Sequence, residues 1–288
     1  MTNMNDTMRW TGVRMVDGYS LEMTAKDGAN LIEAQTLIPA GTSISITYLP
    51  GEDLDARVAA ASLVRKLGFT PVPHISARRI PSVAALNEYL QRLKDGASID
   101  RAFVVAGDLS ETLGPYGDAL SLIDSGLLQE HGVRKIGIAG YPEGHPEIEQ
   151  DKLWEALRMK VRCLSAAGIP YEIATQFAFD PGPVLEWLKR IRAEGIEGRV
   201  RIGVPGPANV KTLLRFAGRC GVGASTKVMA KYGLSLTKLL STTGPDNLLE
   251  EFKLLLDPAV HGDVQFHFYP FGGFSRTATW VHAYGRSE

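Results

Sequence analysis

Glu22 stands inside an apolar run, Ser20-Leu21-Glu22-Met23. A bare carboxylate removed from water must be paired, solvated or protonated, and burial favours the protonated form. A carboxyl that keeps its proton near neutral pH can act as a general acid; the plainer alternative is a salt-bridged residue at the floor of a barrel. Asp108 closes the run Arg-Ala-Phe-Val-Val-Ala-Gly-Asp, and reads either as a second functional carboxylate or as a turn or N-cap aspartate. Gln176, in Ala-Thr-Gln-Phe-Ala-Phe-Asp, can donate and accept at once. That suits a heterocycle presenting both kinds of group, or an amide satisfied by strand backbone. His74, in Pro-Val-Pro-His-Ile-Ser, is a functional imidazole or a satisfied core side chain. Thr47, Tyr141, His145, Tyr269 and Arg276 complete the polar residues at or just past the ends of apolar runs. His131, His261 and His282 read as loop or surface residues, and Cys163 and Cys220 as buried thiols. No H-E-x-x-H, cysteine quartet, G-x-S-x-G or G-x-G-x-x-G is present. No metal site, serine triad or Rossmann nucleotide site is therefore expected.

These residues must be carried by repeated elements. Eight short apolar runs, at 20–25, 43–49, 70–77, 101–108, 135–142, 171–180, 199–206 and 263–272, read as strands. Between them lie helical patterns with apolar residues at i, i+3, i+4 and i+7 and a closing glycine, as at 54–68, 82–96, 181–195 and 207–221. Strands apolar on both faces that alternate with helices imply a parallel sheet covered by helices, and eight such units make a (β/α)8 TIM barrel. A doubly wound sheet is the second choice. One domain is expected over 1–288, with an N-terminal extension at 1–18 and extra helical material at 221–258 before the last strand. In a barrel the chemistry sits at the carboxyl ends of the strands, where all of the polar residues above fall.

The composition is that of an ordinary globular chain, 44% hydrophobic and 22% charged, with a formal net charge of -1. No basic run or stacked-aromatic signature invites nucleic acid. The N-terminus has no signal-peptide pattern, and no apolar run approaches the roughly 20 residues of a membrane span, so a cytoplasmic location is expected. A homo-oligomer is compatible with the sequence.

The run Tyr141-Pro-Glu-Gly-His-Pro146 after the fifth strand is similar to the most distinctive short motif of the methylenetetrahydrofolate reductases. Other matches follow in order along the chain. Ser-Leu-Glu-Met resembles the family's strand-one motif, Ile46-Thr47-Tyr48 its Val-Thr-Tyr, and Pro73-His74 its Pro-His. Gly107-Asp108 resembles the Gly-Asp that closes strand four, Ala174 to Asp180 the Ile-Thr-Gln-Phe-Phe-Phe-Asp of strand six, and His267-Phe268-Tyr269 its His-Phe-Tyr. The resemblance spans 20–282 and implies a flavin-dependent TIM-barrel enzyme. Such an enzyme interconverts 5,10-methylenetetrahydrofolate and 5-methyltetrahydrofolate with FAD as cofactor and NADH or NADPH as electron donor, in one-carbon metabolism and methionine biosynthesis. It further implies Glu22 as the general acid that opens the five-membered folate ring, and Asp108 as a carboxylate tuning pterin and flavin. Gln176, Tyr269 and Arg276 would contact substrate. Thr47, His74, Gly107, Asp108, Tyr116, Tyr141, His145 and Lys160 would hold FAD.

The sequence also departs from that pattern. The family's Leu-Arg-Gly-Asp reads Val105-Ala106-Gly107-Asp108, so the arginine that reaches the flavin diphosphate is absent. The family's Lys-Val-x-Ala-Gly reads Leu164-Ser-Ala-Ala-Gly168, with the nearest cations earlier, at Arg158, Lys160 and Arg162. Each lost charge-assisted contact is worth roughly 1.5–3 kcal/mol. Arg78, Arg79, Lys160 and Arg162 are the candidate replacements. The missing arginine also motivates an alternative, a flavin-independent folate oxidoreductase with direct hydride transfer from nicotinamide; a second alternative is a non-catalytic folate-binding paralogue, against which the presence of Glu22, Asp108 and Gln176 together argues.

Overall fold

The computed structural model describes residues 14–49, 51–222 and 242–288. Residues 223–241 of the extra helical material expected at 221–258, and most of the N-terminal extension, lie outside the described residues.

The barrel strands are β1 (Ser20–Met23), β2 (Ser43–Ile46), β3 (Thr70–Ser76), β4 (Arg101–Val105), β5 (Lys135–Gly140), β6 (Tyr171–Phe177) and β7 (Arg199–Pro205). After a short antiparallel pair, β8 (Ala208–Asn209) with β9 (Thr242–Thr243), β10 (Val264–Tyr269) completes the barrel. The sheet closes in the order β1-β10-β7-β6-β5-β4-β3-β2, every neighbour parallel. Because β1 pairs with both β2 and β10, no strand is left as an edge. That closure decides for the barrel over the doubly wound sheet. No described helix is long and apolar enough to cross a membrane.

The helices are α1 (Gly28–Ala34), α2 (Leu54–Lys66), α3 (Val83–Ala97), α4 (Ala119–Asp124), α5 (Leu127–Glu130), α6 (Gln150–Ala166), α7 (Pro181–Ala193) and α8 (Val210–Cys220). Three more follow, at Asp246–Leu255, Pro258–His261 and Phe274–Ser287. Their starts are chemically marked. Asp53, Ser82, Asp180 and Asn209 each accept a first-turn N–H, and Pro181 opens α7 with its preset φ. α8 ends on Gly221 at φ 63, the left-handed conformation that spares a glycine the Cβ penalty.

Side chains alternate across each strand, so Leu21 and Met23 are buried against the helical layer while Glu22 between them faces inward. At the floor of the barrel, Glu172 bridges Arg201 (3.0 Å) and Lys135 (2.7 Å). Burial works to raise the pKa of the Glu172 carboxyl, but the two cations outweigh it and hold it below the usual range. The salt-bridged floor carboxylate is therefore Glu172 on β6, and Glu22 occupies the other end of the cavity.

Three details depart from expectation. The strands end one to three residues early, leaving Thr47 and Asp108 in the following loops, the second of which turns at Gly107, φ +95. His261 is buried, because its Nδ1 takes the Asp257 N–H (2.9 Å) and its carbonyl takes the Arg192 guanidinium (2.9 Å). The two thiols are only half-buried.

Candidate active site

At the carboxyl end of the barrel, Glu22 Oε2 lies 3.7 Å from His267 Nε2 and 3.9 Å from His74 Nε2. The three side chains come from β1, β10 and β3, and the closed sheet brings them together. The Ser20 hydroxyl fixes the His267 ring at Nδ1 (2.8 Å), so its other nitrogen faces Glu22. His74 packs on Phe103 (4.7 Å between centroids). Burial pushes its pKa down to about 4, with His267 and Arg57 in the same direction and Glu22 opposing. At neutral pH His74 is thus an uncharged imidazole, and it presents no cation to the carboxyl.

Tyr269 stands edge-on to His267 (4.8 Å) and donates its hydroxyl to the Thr175 carbonyl (2.9 Å). Burial, then the nearby Glu22, keeps this phenol neutral. The same neighbourhood explains Gln176. Between Ala174↔Arg201 and Phe177↔Gly203 the β6–β7 register gains one residue, a β-bulge. Thr175 Oγ1 accepts the Gly203 N–H (2.9 Å) in place of the ladder, and Gln176 Oε1 accepts the Phe177 N–H (3.1 Å). Bulges of this kind re-aim a side chain at a barrel rim. Around them Phe177, Phe216, Tyr269 and Phe271 form an aromatic wall, with Phe216 and Phe271 stacked at 4.1 Å.

Asp108 is largely exposed, and its Oδ1 takes both Nη2 (2.7 Å) and Nε (3.0 Å) of Arg79. Burial works to raise its pKa, but the Arg79 hydrogen bond and charge hold it below the ordinary value. It is an ionised acceptor at neutral pH and no proton donor. Arg79 and the buried Arg57 lie over Tyr48, at 5.2 and 4.3 Å from the ring centroid, and Arg57 also lies over Tyr89 (4.7 Å).

A second cleft, about 380 Å³, opens between β4, β5, α4 and α6. Ala106, Asp118, Tyr141 and Lys160 line it. Lys160 is buried and, among the described residues, has no ion pair. Its pKa falls to about 8, burial lowering it and Asp118 partly opposing. Of the other cations, Arg78 is spent on the Gly117 and Leu109 carbonyls, Arg79 on Asp108, and Arg162 is exposed. Of the four candidate replacements, Lys160 is therefore the one that lines this cleft, where the exposed Lys152 is the other cation. The turn at Tyr141–Pro146 borders the same cleft. Gly144, at φ +88, donates to the Tyr141 carbonyl (3.2 Å), and the His145 ring stands edge-on to Tyr141 (5.5 Å).

Thr47 is half-buried, its hydroxyl buried and unpartnered, and Gly107 abuts Ser76 so closely that an added Cβ would lie 2.2 Å from the hydroxyl. Tyr116 sits in the main hydrophobic core and is not on the wall of the cleft. Arg276 is exposed on the first turn of the last helix, with no contact to the Glu22 group.

Residues 19–272 match the family described as methylenetetrahydrofolate reductase. The chain belongs to that family. A 5,10-methylenetetrahydrofolate reductase from Pectobacterium carotovorum subsp. carotovorum is 28% identical over 182 residues, 60% of this chain and 57% of that one. The chain thus spans a little over half the length of that relative. An uncharacterised protein from Clostridium thermocellum, whose structure binds two copies of 5-methyl-5,6,7,8-tetrahydrofolic acid, superposes with a TM-score of 0.57 at 11% identity. The superposition covers 95% of this chain and 96% of the other, and shows a shared fold.

For this methylenetetrahydrofolate reductase family member, sequence reasoning missed His267, Ser20 and Arg57 as parts of the site. His267 was recoverable, since it lies two residues before Tyr269 and so on the same strand face. Arg57 carried a signal too: with Ala60, Ala61 and Val64 it falls on the buried i, i+3, i+4, i+7 face of α2.

Proposed function

We propose that this protein interconverts 5,10-methylenetetrahydrofolate and 5-methyltetrahydrofolate, with FAD as bound cofactor and NADH or NADPH as electron donor. The observation that carries the reading is Glu22, an inward carboxyl set against two imidazoles at the catalytic end of a barrel of this family. The folate bound to the structurally similar Clostridium thermocellum protein is consistent with it.

The chain's own residues fit the flavin. Lys160 offers an uncompensated cation beside the cleft, Thr47 an unpartnered buried hydroxyl, and Ala106 a small side chain where a larger one would fill space. Lys160 would take the diphosphate in place of the missing arginine, with Thr47, Tyr141 and His145 nearer the ring system. When bound, FAD supplies hydride chemistry between the nicotinamide and the folate methylene carbon.

Glu22 donates its proton to the ring nitrogen of the folate, the bond from that nitrogen to the methylene carbon breaks, and the carboxylate is later reprotonated from solvent. His74, being neutral, presents no fixed positive charge beside the carboxyl, and His267 is oriented by Ser20. Gln176, freed from regular pairing by the bulge, donates to and accepts from the pterin edge. Asp108, kept ionised by Arg79, accepts a hydrogen bond and places negative charge beside the rings. The aromatic wall excludes water from the reacting centre.

The test is NADH- and NADPH-dependent turnover of 5,10-methylenetetrahydrofolate by the FAD-loaded protein, with bound flavin quantified at about 450 nm after purification. Absence of turnover with either nucleotide overturns the proposal. Turnover by flavin-free protein favours direct hydride transfer, the second reading, which rests on Ala106 standing where the family's arginine would be.

A further inference from the structure

We propose that the amino-terminal face of the barrel, opposite Glu22, carries a second binding site for a small phosphate-bearing molecule. A pocket of about 640 Å³ opens there, larger than the 380 Å³ cleft beside Lys160 and within the range of small-ligand sites. Five arginines line it: Arg14, Arg101, Arg199, Arg201 and Arg286. Val16, Leu37 and Val281 add an apolar wall.

The charges do not balance within the protein. Arg14 pairs with Asp17 (3.2 Å) and Arg199 with Asp263 (2.8 Å). Asp100 is shared between Arg65 (3.5 Å) and Arg101 (3.8 Å), and Glu172 between Lys135 (2.7 Å) and Arg201 (3.0 Å). Arg286 has no ion pair among the described residues. Glu288, which takes the Met15 N–H (3.2 Å), is matched by Lys253 (3.5 Å). Apart from that pair, seven basic side chains meet four carboxylates here, leaving three positive charges over. The whole chain has a formal net charge of -1, so this surplus is a local concentration and no general basicity.

Arginines on this face could serve only to satisfy the carbonyl ends of the helices. Arg65 and Arg192 do so, donating to Ala97 and Ser98 and to Ile196 and Gly198 respectively, and of the pocket's own arginines Arg14 donates to the Gly285 carbonyl (3.0 Å) and Arg201 to the Gly18 carbonyl (3.1 Å). Arg101 and Arg199 do not: they donate to the side chains of Ser43 (3.3 Å) and Asp263 (2.8 Å) at the rim of the pocket. Converging guanidiniums with surplus charge match a phosphate or diphosphate, whose oxygens accept the planar fork in pairs. The apolar wall accommodates the organic part of such a ligand.

The experiment is calorimetric titration of the full chain with pyrophosphate, ADP and citrate at constant ionic strength, in the wild type and in Arg286→Glu, Arg14→Glu and Lys160→Met. The expected result is saturable binding of pyrophosphate and ADP that weakens at least roughly tenfold in both charge reversals, the loss of one charge-assisted contact. That binding should persist in Lys160→Met, and thermal unfolding should show both reversals folded. If either reversal fails to fold, Arg286→Gln and Arg14→Gln replace it. Three outcomes overturn the site as proposed: no phosphate binding, phosphate binding abolished by Lys160→Met but indifferent to both reversals, or citrate binding where the phosphates do not bind.

Discussion

Replacing Lys160 by methionine separates stability from cofactor affinity, because the two should move in opposite directions. Burial lowers the pKa of this ammonium from 10.5 to about 8. The folded value lies below the unfolded one, so the unfolded chain binds more protons between about pH 8 and pH 10.5. Stability should therefore rise with pH across that window. At pH 7 the folded apo-protein bears a penalty on the order of 3 kcal/mol, at about 1.4 kcal/mol per pKa unit. Methionine fills similar space without the charge, so the apo variant should be the more stable by up to roughly that amount. At roughly 2–4 °C per kcal/mol for a chain of this size, the rise in Tm is readily measured. Its stability should also stay flat between pH 8 and 10.5. The same change removes the cation offered to the diphosphate, worth roughly 1.5–3 kcal/mol, so FAD should bind one to two orders of magnitude more weakly. Calorimetry on apo-protein and titration of flavin fluorescence read the two effects separately. A lower apo Tm, or unchanged flavin affinity in a folded variant, would refute the reasoning.

Three further expectations follow from the same geometry. Glu22→Gln should lower folate turnover by roughly 10²-fold or more while leaving reduction of bound flavin by NADPH near wild-type rate, read by stopped-flow absorbance; equal loss in both half-reactions would make Glu22 structural. His74 has a folded pKa of about 4 against 6.5 unfolded, so its contribution is intact above pH 6.5 and is lost as pH falls toward 4. His74→Gln should flatten the decline of Tm across that window, and an identical decline in the variant counts against a neutral buried imidazole. Arg79→Ala should let the Asp108 carboxyl titrate at higher pH, visible in a carbon NMR titration, and an unmoved titration would show that the Arg79 contact does not hold it ionised.

The barrel was legible because its signals are local and repeated. Eight apolar runs that alternate with helical patterns, several of them closed by a glycine, leave few architectures, and closure of β1 onto β10 settles the choice. The polar residues at strand ends were legible for the same reason, since the fold fixes which end of a strand matters. What the sequence withheld was pairing. Nothing in one dimension distinguishes Glu22 from Glu172, each a carboxylate within a strand, yet one faces imidazoles and the other is clamped between Lys135 and Arg201. Likewise four cations competed to replace the missing arginine at Ala106. Only the tertiary partners of Arg78 and Arg79 eliminate those two, and only the depth of α6 against β4 and β5 leaves Lys160 facing a cleft. The bulge at Gln176 was invisible too, being a register shift between strands far apart in sequence.

Among the described residues, the cations lining the barrel interior have partners other than Glu22, and that arrangement suits a proton donor. Arg57 lies between the rings of Tyr48 and Tyr89 and donates to the His74 carbonyl; Arg79 is neutralised by Asp108; Arg201 and Lys135 are drawn to Glu172 at the floor. What remains against the carboxyl is imidazole, one of them held neutral by burial. A fixed positive charge in place of His267 Nε2, which lies 3.7 Å from Glu22 Oε2, would favour the carboxylate over the acid form needed to donate a proton. His267→Lys should therefore cut kcat for folate turnover roughly tenfold or more, with the pH–rate profile displaced to lower pH. His267→Gln supplies the control, since it keeps a polar side chain without the charge and should preserve the position of the profile. Steady-state kinetics across pH 5 to 9 would separate the two variants. Superimposable profiles for lysine and glutamine would show that the charge environment of Glu22 does not govern its protonation, and the acid role assigned to it would have to rest on another group.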